Sequence, residues 1–301
     1  MSFLPEDFLT YIAEETNRAD FIQNWLLKNE VKSNRIVIDG KNHILVQFPK
    51  EKYNSSFRIK TVIAHHDRVK NSPGANDNSA ANWQLMNWAV HLNSKNSFHN
   101  VRIIFTDGEE LGWNAGIREQ GAFAIASTFK RLGITNDDVY VFDACGRGNV
   151  SVLAKNSVPK TAPQDFTKKF NSLYLRAQNI LASANPSSWL TLPVPYSDNA
   201  SFLASGIPAV AITMLPADEA ALYMRELLNN KNLEDAVMNR EKSHQDRISG
   251  NQVDFNYKEK LPLTWRLFHS PNDNISSLTK DAFIAMGRIL SVLENIEIPL
   301  I

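Results

Sequence analysis

The feature that most constrains this chain is a set of apolar runs that each stop at an acid or an imidazole. TVIA (61–64) stops at His65-His66-Asp67, VRIIF (101–105) leads through Thr106-Asp107-Gly108 into Glu109-Glu110, and VYVF (139–142) stops at Asp143. A run that is apolar at every position reads as a strand covered on both faces. Further strand-like runs are RIVIDG (35–40), HILVQFP (43–49), VSVLAK (150–155) and PAVAITM (208–214), with Asp39-Gly40 a hairpin signal between the first two. Helical spacing alternates with the strands at 78–93, 116–132, 165–183 and 279–295, the last carrying Phe283, Met286, Leu290 and Leu293 on one stripe. Residues 6–29 predict a helix or a broken pair. The expectation is an α/β protein, a three-layer α/β/α sandwich around a mixed, mostly parallel sheet.

Ligands in open α/β sheets bind beyond the carboxyl ends of the strands, so the acids and imidazoles gather at one sheet edge. Five positions can ligate a metal: His65, Asp77, Glu110, Asp143 and His269. This nitrogen and oxygen set suits zinc, cobalt or manganese rather than calcium. A catalytic zinc usually takes three protein ligands, so five suit two ions roughly 3.5–4 Å apart that share a carboxylate. Glu109 and Glu110 leave their strand in different directions, so one can bind metal while the other serves as a base. Asp67 is placed to hold the second ring nitrogen of His65.

Composition removes other classes. Lys+Arg and Asp+Glu are both 32, which gives no electrostatic reason to expect nucleic acid or an anionic membrane. The N-terminal MSFLPEDFL is acidic where a signal peptide is basic, and no run approaches the ~18 apolar residues of a membrane span. Cys145 is the single cysteine, so no intrachain disulfide forms, and the expected location is cytoplasmic. The sequence says nothing of oligomeric state.

The segments AHHD (64–67), PGANDNSAA (73–81), DGEELG (107–112), VFDACG (141–146), SDNASFLASGIPAV (197–210) and FHSPND (268–273) resemble, in order, the motifs of the co-catalytic zinc aminopeptidases, metallopeptidase family twenty-eight. That resemblance implies a single zinc exopeptidase domain over 1–301 and two Zn2+ ions, with Co2+ or Mn2+ as alternatives. His65 and Asp143 would hold one ion, Glu110 and His269 the other, and Asp77 would bridge them. Glu109 would be the general base, with Asp67 and Asp198 bracing the ligands or touching substrate. It implies hydrolysis of N-terminal peptide bonds, with a peptide or small amide as substrate. Asn76, Asn199 and Ala80-Ala81 depart from the usual pattern, which bears on substrate contacts rather than on the ligands. Segment 215–267 is longer than the family's usual link. It reads as helices at 217–229 and 232–240, a polar stretch KSHQDRISGNQ, and an extended piece ending at Trp265, together a lid or rim insertion.

Simpler readings compete residue by residue. His65 alone could be a core histidine, Glu109-Glu110 a solvated acidic pair, and Asp77 a helix cap. Charges that end buried strands need compensation, however, and metal supplies it. His43, His66, His91, His99 and His244 lack partner motifs and read as structural or surface residues. Trp83, Met86 and Trp88 read as core, Pro73 and Gly74 as turn formers, and Cys145 as a buried small residue. Three other functions use related motifs: a glutaminyl cyclase-like acyltransferase with one zinc, a deacylase or amidohydrolase, and a metal-free receptor-like relative. The last loses ligands or the base, which are all present here.

Overall fold

The computed structural model describes residues 3–111, 116–156, 158, 161–238 and 255–300. Its strands are β1 (Lys32–Ile38), β2 (Lys41–Gln47), β3 (Lys60–His65), β4 (Val101–Thr106), β5 (Asp138–Phe142), β6 (Val150–Ala154), β7 (Trp189–Leu192) and β8 (Ala209–Leu215). They form one sheet in the order β1-β2-β4-β3-β5-β8-β6-β7. The central four, β4, β3, β5 and β8, are mutually parallel, and β2 and β6 pair antiparallel on either side of them. The sheet is therefore mixed and mostly parallel at its centre, as the sequence leads one to expect.

Alternate residues of the apolar runs enter two different cores. Val62 and Ala64 of β3, Ile103 and Phe105 of β4, and Tyr140 and Phe142 of β5 belong to the larger one. They meet α3 (Ala80–Ser94), α5 (Gln164–Ala184) and α10 (Lys280–Asn295), through residues such as Met86, Ile180 and Ile289. Ile63, Ile104, Val139 and Val141 point the other way, onto Ile125 and Phe129 of α4 (Gly121–Arg131) and Phe202 of α6 (Asn199–Ala204). Burial of each large apolar side chain contributes about 1.5–3 kcal/mol, so neither face can carry polar residues without loss. That is why these strands read as continuous runs.

Local signals account for several boundaries. Asp39 and Gly40 both take positive φ, 50° and 77°, as a two-residue hairpin loop that matches strand twist requires. The N-terminal helix is a broken pair, α1 (Glu6–Ile12) and α2 (Arg18–Lys28), with the Asn17 side chain accepting from the Asp20 amide to cap the second. Arg68 donates to the carbonyls of Ile12, Ala13 and Glu14, satisfying groups that the end of α1 leaves open.

A third, smaller core lies beside β6, β7 and β8. It joins Val152, Leu192 and Leu215 to Tyr223 of α7 (Ala217–Asn229), Leu233 of α8 (Leu233–Met238) and Trp265 of α9 (Leu263–Arg266). One expectation is corrected here. The piece leading to Trp265 is not extended but a helical turn, Phe255–Lys260, followed by α9, because Trp265 must turn inward to meet Tyr223 edge-on at 5.0 Å between centroids. Strand β7 was not anticipated. The polar stretch 242–252 and His244 lie outside the described residues. Among the described residues no helix is long and apolar enough to cross a membrane.

Candidate metal centre

The chain leaves β3 through α3 to reach β4 on one side, then passes through α4 to β5 on the other side of β3. Connections that depart in opposite directions open a crevice at the carboxyl ends of the strands between them. His65 is the last residue of β3 and Asp143 the first after β5, while Glu109-Glu110 follow the loop after β4. The other two candidates come from loops: Asp77 from the turn Ala75–Ser79 before α3, and His269 from the segment after α9.

All five meet. Oδ1 of Asp77 lies 3.1 Å from Nε2 of His65, and Oδ2 of the same carboxylate lies 3.4 Å from Nε2 of His269. Asp143 Oδ1 stands 3.5 Å from His65 Nε2, and Glu110 Oε2 stands 3.0 Å from His269 Nε2. The donor atoms form two groups that share Asp77: His65, Asp77 and Asp143 in one, and Asp77, Glu110 and His269 in the other, each set lying within 4.8 Å of one another.

The atoms fit a cation in a second respect. Nε2 of His65 and Oδ1 of Asp143 are buried without a hydrogen-bond partner, so the contacts of His65 Nε2 with Asp77 and Asp143 are misaligned as hydrogen bonds. Buried polar atoms are nearly always satisfied, and each one that is not costs roughly 1–3 kcal/mol. Imidazole nitrogen and carboxylate oxygen are the donors zinc takes. The residues present therefore fit zinc at both groups.

Burial and mutual charge set the protonation of the metal-free site. Burial pushes Glu109 well above the usual carboxylate range, and burial together with the Asp77 charge pushes Glu110 up to about 7. Asp77 and Glu110 raise His269 to about 10. Burial works against the charged form of His65, but Asp143, Asp67 and Asp77 outweigh it and hold the imidazole well above 6.5. Burial opposes ionisation of Asp77 too, and His269 and His65 overcome it, holding this carboxyl well below its ordinary value. Two imidazolium ions thus stand in for positive charge among the carboxylates.

Supporting groups fix each donor. Asp67 lies 3.5 Å from His65 Nδ1, and its two oxygens accept from the amides of Glu109 (3.2 Å) and Glu110 (2.8 Å). One carboxylate therefore orients a ring and a loop together. Asp198, fully buried at the start of α6, accepts from the Thr106 hydroxyl through Oδ2 while Oδ1 has no partner, and burial raises it to about 6. The Asp77 turn is held from both sides. Asp273 accepts from the Asn76 amide at 2.8 Å and the Asp77 amide at 3.0 Å, and the Asn78 side chain donates to the Phe142 carbonyl at 2.9 Å. Ala144 and His269 take positive φ, 53° and 57°, a strained conformation of about 1–3 kcal/mol each that the surrounding bonds must hold.

Sequence reasoning named the donors but missed three supports. Asp273 sits inside the FHSPND motif and went unassigned. Arg18, buried, donates to the carbonyls of His66, Asp67, Pro73 and Gly74 and to the Ser79 hydroxyl, binding α2 to both ligand loops. Gln120 donates to Glu109 Oε1 at 3.0 Å. No sequence pattern signals the last two, because their partners are far along the chain or reached only through a turn.

A mixed eight-stranded sheet with helices on both faces and this edge of acids and imidazoles is the zinc exopeptidase fold. Residues 44–293 match the profile of Peptidase family M28, and the chain belongs to that family of peptide hydrolases. Among solved structures it resembles a zinc aminopeptidase from Bacillus subtilis, with 17% identity and a TM-score of 0.52 over 84% of this chain and 48% of that one. A zinc-dependent exopeptidase from Parabacteroides distasonis shares 14% identity at a TM-score of 0.60, covering 98% of this chain and 99% of its own. A glutaminyl cyclase from Porphyromonas gingivalis is 14% identical at a TM-score of 0.60, covering 96% of each chain. The chain thus spans about half the length of the Bacillus subtilis aminopeptidase it matches. No curated protein sequence matches it.

Proposed function

We propose that this chain is a dinuclear zinc exopeptidase, an aminopeptidase that hydrolyses the N-terminal peptide bond. The observation that carries the reading is Asp77, whose two oxygens face two different imidazoles 3.1 and 3.4 Å away. In this reading His65 and Asp143 would hold one ion, Glu110 and His269 would hold the other, and Asp77 would be shared between them. When bound, two zinc ions supply Lewis acidity for the scissile carbonyl and make water acidic enough to react near neutral pH. Glu109, beside Glu110 but outside both ligand groups, takes the proton of the attacking water and returns it to the leaving amine. Its burial suits proton exchange with substrate rather than with solvent. Asp67 keeps His65 in one tautomer and holds the Glu109-Glu110 backbone still. Asp198, with one buried oxygen unpartnered, is available to substrate.

In the same reading the described parts of the segment 215–267 brace the loop that follows Asp143. Arg147, four residues past Asp143, donates to Glu219 Oε1 at 2.9 Å and to the Thr264 hydroxyl at 3.2 Å. Glu219 in turn accepts from the Thr264 amide at 2.7 Å. The two ends of the segment are thereby tied to the loop that carries Asp143.

One observation favours a second reading, a glutaminyl cyclase with a single zinc. Cyclases from Porphyromonas gingivalis and Tannerella forsythia match this chain over 96% and 100% of their own lengths, as the Parabacteroides distasonis exopeptidase does over 99%, against 48% for the Bacillus subtilis aminopeptidase. The zinc-loaded protein assayed on aminoacyl reporter amides, N-blocked controls and N-terminal glutaminyl peptides separates the two. Release of the reporter from free-amine substrates supports the aminopeptidase. Ammonia release with a pyroglutamyl product, or cleavage of blocked substrates alone, replaces it.

A further inference from the structure

The Gln120 side chain is a bridge between Glu109 and α6. Its Nε2 donates to Glu109 Oε1 at 3.0 Å and to the Glu109 carbonyl at 3.3 Å, while its Oε1 accepts from the Ser201 hydroxyl at 2.9 Å. Gln120 and Ser201 are both buried, so neither contact is exchanged with solvent. The amide has one useful orientation: turned over, it would set a carbonyl oxygen against a carboxylate oxygen. Two acceptors of Glu109, its Oε1 and its carbonyl, set that orientation, and the Ser201 hydroxyl, which also lies 3.3 Å from the Ile117 carbonyl, meets the acceptor end of the amide.

Gln120 reaches this place through a close backbone approach. The residue after it, Gly121, donates its amide to the Gly108 carbonyl at 3.1 Å, immediately before Glu109. A Cβ on Gly121 would lie 1.9 Å from the Asp107 carbonyl, so a side chain there would push Gln120 away.

We infer that Gln120 is a positioning residue for the general base, with Ser201 as the buried partner at the other end of its amide. The inference rests on the assignment of Glu109 as base. Gln120 occupies Oε1 of Glu109 and fixes the side chain so that Oε2 is the oxygen offered to the proton in transit. A base held within a few tenths of an ångström of the productive position acts at full rate, and a misplacement of about 1 Å costs on the order of 100-fold.

The test compares Gln120→Met with wild type in two backgrounds, native and Glu109→Gln, using the zinc-loaded full chain. In the native background Gln120→Met should lower kcat by roughly 10- to 100-fold with KM within about twofold, and leave zinc content unchanged. Ser201→Ala should cost less than Gln120→Met, because the amide is freed but not removed. In the Glu109→Gln background, adding Gln120→Met should lower the residual rate no further, since a group that acts only through Glu109 has nothing left to position. An equal loss in both backgrounds, or a near-normal kcat for Gln120→Met beside an inactive Glu109→Gln, overturns the inference while leaving Glu109 as base. Near-normal turnover of Glu109→Gln itself overturns the functional reading instead.

Discussion

The carboxylate of Asp77 faces the His65 imidazole with one oxygen, at 3.1 Å, and the His269 imidazole with the other, at 3.4 Å. These two histidines are 204 positions apart in the sequence, one ending a central strand and the other in a loop beyond α9. A single carboxylate between two imidazoles, each joined by a further acid, is a symmetrical arrangement that one cation would leave half used.

Zinc binding should release protons and weaken as the pH falls. His269 is held at about 10, above its ordinary 6.5, and His65 is also raised, so both imidazoles are protonated at neutral pH in the metal-free protein. Each must lose its proton to ligate, and protons compete more strongly at lower pH. The sign for the metal-free fold is the opposite: the share contributed by His269 is fully present below 6.5 and is lost as pH rises through about 10. Calorimetry of zinc uptake at pH 7 in two buffers of different ionisation enthalpy should report roughly two or more protons released per filled chain, the two imidazoles supplying about two and Glu110, raised to about 7, a further fraction. Uptake with no proton release would contradict the picture.

Asp273→Asn should loosen the Asp77 turn. The native carboxylate accepts from two buried amides, and an asparagine can serve only one of them with its oxygen. Leaving one buried amide unsatisfied costs about 1–3 kcal/mol, so the urea midpoint should fall and zinc affinity should fall with it. An unchanged midpoint together with unchanged affinity would show that these bonds do not hold the turn.

Much of this was legible in the sequence because it is local. The runs TVIA, VRIIF and VYVF are apolar at nearly every position, Thr61 and Arg102 excepted, because both faces are covered, and they lead into His65, Glu109-Glu110 and Asp143 at the crevice. The Asp39-Gly40 loop was equally plain, since only a few residue types accept positive φ. What was not legible is non-local or weakly patterned. Trp189–Leu192 is three half-exposed residues and the buried Leu192 at the sheet edge, too short to show a period. The contacts of Arg18 with the 66–67 and 73–79 loops, and of Gln120 with Glu109, depend on how separate turns pack, which no spacing encodes. Trp265 folds inward because Tyr223 awaits it in another helix.

Gly121→Ala should disturb stability and catalysis together. The added methyl would stand 1.9 Å from the Asp107 carbonyl and 2.6 Å from the His43 ring, contacts that only a backbone shift relieves. Such overpacking costs about 1–3 kcal/mol, and the shift would carry Gln120 away from Glu109. A lower thermal midpoint and a reduced kcat with full zinc content are expected. A variant with native midpoint and native kcat would show that the approach of α4 to the β4 loop is not needed.

Crystals of the zinc-loaded protein, with anomalous differences recorded on both sides of the zinc edge, test the central claim most directly. Two zinc peaks are expected roughly 3.5–4 Å apart, one on each oxygen of Asp77. A single peak, or a second zinc that Asp77 does not touch, would contradict it.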